Sequence, residues 1–341
     1  MKKIRTIDAV GSILCHDMTR IVKDEIKDAV FRKGHILKEE DIPVLLSMGK
    51  DHIYVYEKQE GMIHENDAAL ILSSLCINDN MVTTEVKEGK VELKAECNGF
   101  FQVDISKLNQ INELEDIMIA TRMGNIPVKK GDKLAGMRVI PLVIEKDKLD
   151  KAKKIGGNTP ILKLTAFKNL KAGIITTGNE VYYGRIKDTF TPVIKDKLGN
   201  MGIDVVKHLV SNDDTEKIKS HILDIKKEGV DLIICTGGMS VDPDDLTPAA
   251  IKSSGANIVT YGAPVLPGAM FLLGYFSDGT TIMGVPGCAM YKKTTIFDIM
   301  LPYVCAGIKI DKSHIAKLGY GGLCLDCDIC NYPNCQFGKG V

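Results

Sequence analysis

Residues 229–248 read GVDLIICTGGMSVDPDDLTP, and the fold of the second half of the chain turns on how this stretch is taken. The apolar run at its start predicts a buried strand. From Cys235 onward, two glycines, a serine and three aspartates fall within ten residues. Either this is a polar turn after a strand, or it is a loop built to handle phosphate and metal.

Working outward, the same pattern recurs upstream. LKAGIITTG (170–178) is a continuous apolar strand ending in a glycine turn, and VIKDKLGNMGI (193–203) is helical. DVVKHLVSNDD (204–214) is a strand ending in acids. TEKIKSHILDIKKEG (215–229) is an amphipathic helix opened by Asp214 or Thr215. Strand, helix, strand, helix, strand implies a parallel sheet with helices on both faces. In such sheets ligands bind beyond the carboxyl ends of the strands.

The polar residues lie where that rule places a ligand. The first strand ends at Gly178 and Glu180, and the second at Asp213 and Asp214. The third ends at Gly237, Gly238, Ser240, Asp242, Asp244 and Asp245. Glycines let a phosphate or a pterin ring approach backbone N–H groups that can bind anions. Carboxylates at the same edge would repel phosphate, and they make sense with a divalent cation such as Mg²⁺ between them.

The totals bound the alternatives. A chain of 341 residues is long enough for two or three domains and a sizeable core. With 45% apolar and 26% charged residues it reads as globular. Lysine plus arginine equals aspartate plus glutamate at 44 each, so nothing points to a general nucleic-acid binder. No apolar run approaches the roughly 20 residues of a membrane span. The start, MKKIRTIDAVGSILCHD, is broken by Arg5, Asp8 and His16 and makes a poor secretory signal, so a cytoplasmic location is expected.

The first half mixes short strands and helices. RKGHILKEEDIPVLLSMGKDHIYVYE (32–57) predicts a helix from about Glu39 to Met48, stopped at Gly49, then a strand from His52 to Tyr56. Residues 62–78 predict an amphipathic helix, and 82–86 and 91–97 predict strands around a Glu88-Gly89 turn. A helix is expected from Ser106 or Lys107 to about Leu114, and a strand ending near Ile144. The charged stretch 146–157 suits a link or an exposed helix. His16, His35 and His52 stand alone in apolar or turn contexts, where structural or solvated roles are expected.

TTGNE, SNDD and TGGMSVDPDDLTP resemble the molybdopterin-binding domain of molybdenum-cofactor biosynthesis proteins, a family that includes the molybdopterin molybdenumtransferases and adenylyltransferases. The likeness runs from about Lys171 to Val304, extended by YGAPVLPGAMFLLG and TIMGVPGCAM. The resemblance implies that Glu180, Asp214 and Asp245 are catalytic and help hold Mg²⁺ or molybdate. It likewise implies that Thr177, Gly178, Asn179, Gly237, Gly238, Ser240 and Asp242 border the pterin phosphate, with Pro267-Gly268 and Pro286-Gly287 lining the pocket. Tyr182, Tyr183 and Arg185 follow Glu180 and would border the same pocket, with Arg185 either meeting a phosphate or making a surface salt bridge. Residues 1–60 resemble, less specifically, the leader of clostridial-type molybdopterin-binding proteins (AVGSILCHD, FRKGHILKEEDIPVLLSMGKDHIYV).

This sequence also departs from that pattern. The Ser-Ala-Met-Asp-Gly-Tyr segment usual in molybdenumtransferases is not found; Asp17, Glu25 and Asp104 are the acids that would stand in for its aspartate. Leu266 replaces the usual lysine before the first Pro-Gly, and Cys288-Ala289 replaces Asn-Pro after the second.

Ten cysteines are distributed unevenly. Cys15, Cys76, Cys97, Cys235, Cys288 and Cys305 are scattered and read as small buried hydrophobes. Cys324, Cys327, Cys330 and Cys335 crowd the last eighteen residues with spacings x2, x2, x4. Four thiolates suit a tetrahedral Zn²⁺ site or an iron–sulfur cluster. Ferredoxin runs carry x2, x2, x3 and a following proline, where this chain has x4 and Gln336. A mobile reduced tail and a soft-ligand contact to a bound cofactor are the other readings.

The expected architecture is therefore α/β. A small mixed leader domain (1–60) and a strand-rich mixed α+β region (61–165) precede a three-layer α/β/α domain with a mostly parallel sheet (166–310) and a Cys-rich tail (311–341). The expected function is binding of molybdopterin or its adenylylated form and promotion of Mg²⁺-dependent molybdate insertion. The alternative is a carrier or sensor that delivers the cofactor to a molybdoenzyme, and a generic α/β protein with only a functional Cys tail is a third reading. The resemblance further implies a homodimer.

Overall fold

A computed structural model describes residues 2–22, 26–56 and 60–340. The chain forms two compact units, and they interleave along the sequence. One comprises residues 1–94, 104–122 and 133–162, and the other residues 95–103, 123–132 and 163–341. The boundaries expected at 60, 165 and 310 run sequentially and do not anticipate this exchange. The reason is non-local pairing: the strand Gly99–Val103 lies between Ile126–Val128 and Leu162–Ala166 in one three-stranded sheet.

The first unit is rich in short antiparallel pairs. Lys2–Arg5 pairs with His52–Val55, and a four-stranded sheet runs Met81–Thr83, Lys90–Ala95, Lys133–Val139, Ile117–Thr121. The helix expected near Glu39 spans Asp41–Ser47, and the one expected over 62–78 begins only at Glu65 because Met62–His64 pairs as a strand with Val143–Glu145. The charged stretch near 150 is a helix, Lys146–Gly156, with Leu149 and Ala152 buried. His35 is structural: its Nε2 lies 2.7 Å from Asp41 Oδ2, which also accepts the Lys38 N–H.

The second unit contains a six-stranded sheet. Its strands are β1 (Lys171–Thr177), β2 (Asp204–Ser211), β3 (Leu232–Thr236), β4 (Asn257–Tyr261), β5 (Leu272–Tyr275) and β6 (Thr281–Val285), in the order β2-β1-β3-β6-β5-β4. β2, β1, β3 and β6 are parallel; β5 and β4 extend the sheet antiparallel. Helices α1 (Phe190–Asn200), α2 (Thr215–Lys227), α3 (Thr247–Ser253) and α4 (Ile296–Cys305) cover it.

Alternation along each strand produces the layers. Ala172, Ile174, Leu232, Ile234, Met283 and Val285 join one core with Ile194 and Leu198 of α1 and the apolar face of α4. Ile175, Ile233, Cys235 and Ile282 join the other with Ile218, Ile222 and Ile225 of α2 and Ile251 of α3. Successive residues point to opposite faces, so a near-continuous apolar run is what a doubly covered strand requires. Phe100 enters the first core and stacks, tilted, on Tyr303 with centroids 4.2 Å apart.

Gly173 shows how tightly α2 sits on β1: a methyl group there would lie 2.1 Å from Ile225 Cγ2. Gly173→Ala is therefore expected to cost about 1–3 kcal/mol through overpacking, measured as a lower urea midpoint. Adding Ile225→Ala removes the overlapping atom, so the double variant should lose clearly less than the sum of the two single losses. Strict additivity would show that the two sites do not press on each other.

Candidate functional site

The four parallel strands end side by side. Thr177 is in register with Ser211, Thr176 with Thr236, and Thr236 with Val285. The segments that follow, beginning at Gly178, Asn212, Gly237 and Pro286, therefore leave from one sheet edge. β4 runs in the same sense as β6 through two antiparallel pairings, so Tyr261 and the Pro267-Gly268 loop reach that edge as well.

Thr177 ties three of these pieces together. It is buried, and its hydroxyl lies 3.0 Å from the Thr247 hydroxyl and donates to the Thr236 carbonyl at 3.2 Å. Its role in the structure is to position the loops. Gly237 is forced by the same closeness: a Cβ there would stand 2.1 Å from the Thr177 carbonyl oxygen, and its φ is +85°. The 237–246 loop is held further by Met239, which is buried and packs where any side chain at Gly284 would be, 2.5 Å from the added Cβ. The Tyr261 hydroxyl donates to the carbonyls of Met239 and Ser240, both at 3.0 Å. Asp245 closes the loop's turn by accepting the Asp242 N–H at 3.0 Å.

The acids divide into two roles. Asp214 caps α2, accepting the Lys217 N–H at 2.8 Å, and is exposed. Its neighbour Asp213 turns toward the β1 loop and accepts the Asn179 N–H at 2.8 Å. Burial pushes the Asp213 carboxyl above its usual value, and the negative charges of Glu180, Asp244 and Asp245 push the same way against the Asn179 hydrogen bond. The charges of acids from the other two loops are thus felt at Asp213, whereas Asp214 is taken up by the cap of α2. Burial and the charge of Asp245 also raise the Tyr261 phenol. Glu180 is exposed and folds back over Gly178.

Two polar atoms at this edge have no hydrogen-bond partner among the described residues: the Ser211 hydroxyl, on a fully buried residue, and Asn212 Oδ1. Beside Glu180, Lys217 donates to the Tyr182 hydroxyl and lies 3.9 Å from that ring's centroid, and Arg185 stands 5.2 Å from the Tyr183 centroid. Cationic side chains thus pair with the aromatic residues just after Glu180 in the chain. On the far side, Pro286 is buried and Gly287 exposed, and Gly268 (φ +127°) abuts Ile296.

Among the described residues, no three His, Cys, Asp or Glu side chains are grouped to enclose a metal ion. The four tail cysteines line a cavity of their own. Asp17 accepts the Lys33 N–H, and Asp104 caps the helix Ile105–Asn112 through the Lys107 N–H. Glu25 lies outside the described residues. Sequence reasoning placed Asp213 at the second strand end without giving it a ligand role, and it did not single out Thr247 or Tyr261, which carry no local signal.

A doubly covered parallel sheet with glycine-rich and acidic loops at its carboxyl edge defines the class of protein. Residues 173–305 match the family described as a probable molybdopterin binding domain. A family described as a domain of unknown function (DUF8806) matches residues 3–57. The chain is similar to a CinA-like protein of Mycobacterium sp. strain JLS, 38% identical over 81 residues, 24% of this chain and 19% of that protein. It is also similar to a putative competence-damage inducible protein of Bacillus cereus strain AH187, 34% identical over 97 residues, 28% of this chain and 23% of that protein. The chain thus spans about a fifth of the length of these curated relatives. Among solved structures, a tungsten cofactor synthesizing protein, MoaB, from Pyrococcus furiosus aligns with 37% of this chain and 88% of its own, at 20% identity and a TM-score of 0.32. Among the described residues, no helix is long and apolar enough to cross a membrane.

The crowding of carboxylates has a measurable sign. A carboxyl whose folded value is raised binds its proton more tightly folded than unfolded. Its contribution to stability therefore appears as the pH falls through the folded value and is absent at neutral pH. Asp213→Asn keeps an oxygen for the Asn179 N–H and removes the charge. It is expected to raise the unfolding temperature at pH 7, by up to about 1 kcal/mol of stability, and to give no advantage below about pH 4. A variant less stable than the parent at pH 7 would show that repulsion does not govern this cluster.

Proposed function

We propose that the chain binds molybdopterin, or its adenylylated form, at the carboxyl edge of the parallel sheet and promotes Mg²⁺-dependent insertion of molybdate. The observation that carries this reading is the convergence of the Gly178, Asp213 and Gly237–Asp245 loops on one edge, where their acids share a field. In this reading Gly178, Asn179, Gly237, Gly238, Ser240 and Asp242 cradle the pterin phosphate. Pro267-Gly268 and Pro286-Gly287 wall the pocket. The unpartnered Ser211 hydroxyl suits a polar ligand at this edge.

The donor chemistry fits Mg²⁺, a hard cation that takes one or two carboxylates together with waters and substrate phosphates and needs no preformed protein cage. One or two of the carboxylates at this edge, among Glu180, Asp213 and Asp245, would hold it, and Asp214 caps the helix behind. When bound, the ion would neutralise charge between phosphate and carboxylate and polarise oxyanion oxygens. The chain's own residues bind and orient: the Thr177–Thr247 contact and the Met239 anchor fix the loop, and Lys217 and Arg185 add positive charge at the rim. No side chain is assigned as a covalent nucleophile, so rate gain would come from positioning and electrostatics. A homodimer and delivery to a molybdoenzyme belong to the same reading.

The test is to titrate the purified protein with molybdopterin and with its adenylylated form, each with Mg²⁺ and molybdate, and to assay active molybdenum cofactor. Asp245→Asn, which keeps the acceptor for the Asp242 N–H, is run beside Asp245→Ala. Insertion predicts product from the parent and at least a tenfold loss in both variants, about 1.4 kcal/mol or more of transition-state stabilisation. Tight binding without product would identify a carrier or sensor. Failure to bind either pterin would remove both readings.

A further inference from the structure

The tail beyond α4 is built around a cavity that the pterin reading does not use. After the helix Lys312–Lys317 the described residues form no regular element, yet the segment is pinned to the core. Phe337 is buried in the first core, and Gly338 lies so close to Ile299 that a Cβ there would be 2.2 Å from Ile299 Cδ1. The Tyr332 hydroxyl donates to the Asp298 carbonyl at 3.2 Å. At its other end the tail pairs with Leu266: the Leu266 N–H donates to Gly322 and the Cys324 N–H donates to Leu266, both at 2.8 Å.

Between these anchors lies a cavity of about 450 Å³, lined by Cys324, Cys327, Cys330 and Cys335 together with Lys292 and Thr294. The four thiols are thus brought to one space by a chain held at both ends, although Cys327 and Cys330 remain exposed. The Thr294 hydroxyl lies 3.4 Å from Cys330 Sγ. Lys292, paired with Asp326 at 2.8 Å, supplies positive charge at the rim.

The size of the space selects the occupant. Four thiolates on one zinc ion at about 2.3 Å would crowd within about 4 Å of one another. Among the described residues no three of these thiols are grouped to enclose a single ion; they line a cavity of about 450 Å³ instead. Iron–sulfur clusters are held by four cysteine thiolates, and their properties depend on hydrogen bonds to sulfur and on nearby charge. The Thr294 hydroxyl and the Lys292 ammonium supply these two features.

We propose that Cys324, Cys327, Cys330 and Cys335 hold an iron–sulfur cluster in this cavity. The experiment uses the full chain, purified without oxygen and incubated with ferric iron, sulfide and an excess of a thiol reductant that supplies the electrons for the mixed-valence cluster, with zinc alone as a parallel arm. The expected result is a brown protein with about four irons and four sulfides per chain, whose visible absorption bleaches on reduction with dithionite. Cys327→Ser and Cys330→Ser, at exposed positions, are expected to keep the parent's circular dichroism and to lose most of the bound iron and sulfide. Cys97→Ser, outside the tail, should retain both. One tightly bound zinc with no sulfide uptake would overturn the proposal in favour of a mononuclear site. Iron and sulfide uptake unchanged in the tail variants would overturn it as adventitious, and no metal uptake at all would leave the cysteines without this role. No pterin enters the assay, so its outcome is independent of the reading given to the sheet edge.

Discussion

The parallel pairing of β1 with β3, which sets Thr176 beside Thr236, is the constraint on which the site depends. It brings the end of β1 against the first turn after β3. Only a residue without a Cβ fits at Gly237, and the Thr177 hydroxyl reaches both the Thr236 carbonyl and the start of α3. The pairing is stable because both strands bury apolar side chains on both faces, against α1 and α4 on one side and α2 and α3 on the other. Parallel strands also start and end together, so the loops that carry chemistry leave from a single edge.

That edge is an electrostatic compromise. Burial and the charges of Glu180, Asp244 and Asp245 push the Asp213 carboxyl above its usual value, while the Asn179 N–H bonds Asp213 and the Asp242 N–H bonds Asp245. A cluster of this kind favours folding less at neutral pH than neutral residues would. Functional sites often hold such costs, offset by well-packed surroundings. Here the surroundings are Met239 over Gly284 and the isoleucines of α2.

Much of this was legible from sequence, for identifiable reasons. TTGNE, SNDD and TGGMSVDPDD each follow an apolar run, and one topological rule sends all three to the same edge. The distinction between Asp213 and Asp214 was not legible. The two are adjacent, and cap geometry decides which carboxylate bonds the Lys217 N–H and which turns to Asn179. Tyr261 was also hidden, because its role depends on an antiparallel strand returning to the site edge. In the first half, Met62–His64 carried a helical pattern but pairs as a strand, since a partner far along the chain, Val143–Glu145, outweighs local preference.

By itself the sequence determined the doubly wound α/β class, the positions of the glycine and acid loops, and the presence of four closely spaced cysteines. Periodicity, strand-end composition and spacing are local properties and can be read locally. Tertiary structure alone decided that residues 95–103 and 123–132 leave their neighbours for the second unit, and that Thr177 is spent on holding loops together. It alone set the tail cysteines around a cavity shared with Lys292 and Thr294. Each of these rests on contacts between segments distant along the chain, whose free energy comes from packing and burial that no single segment encodes.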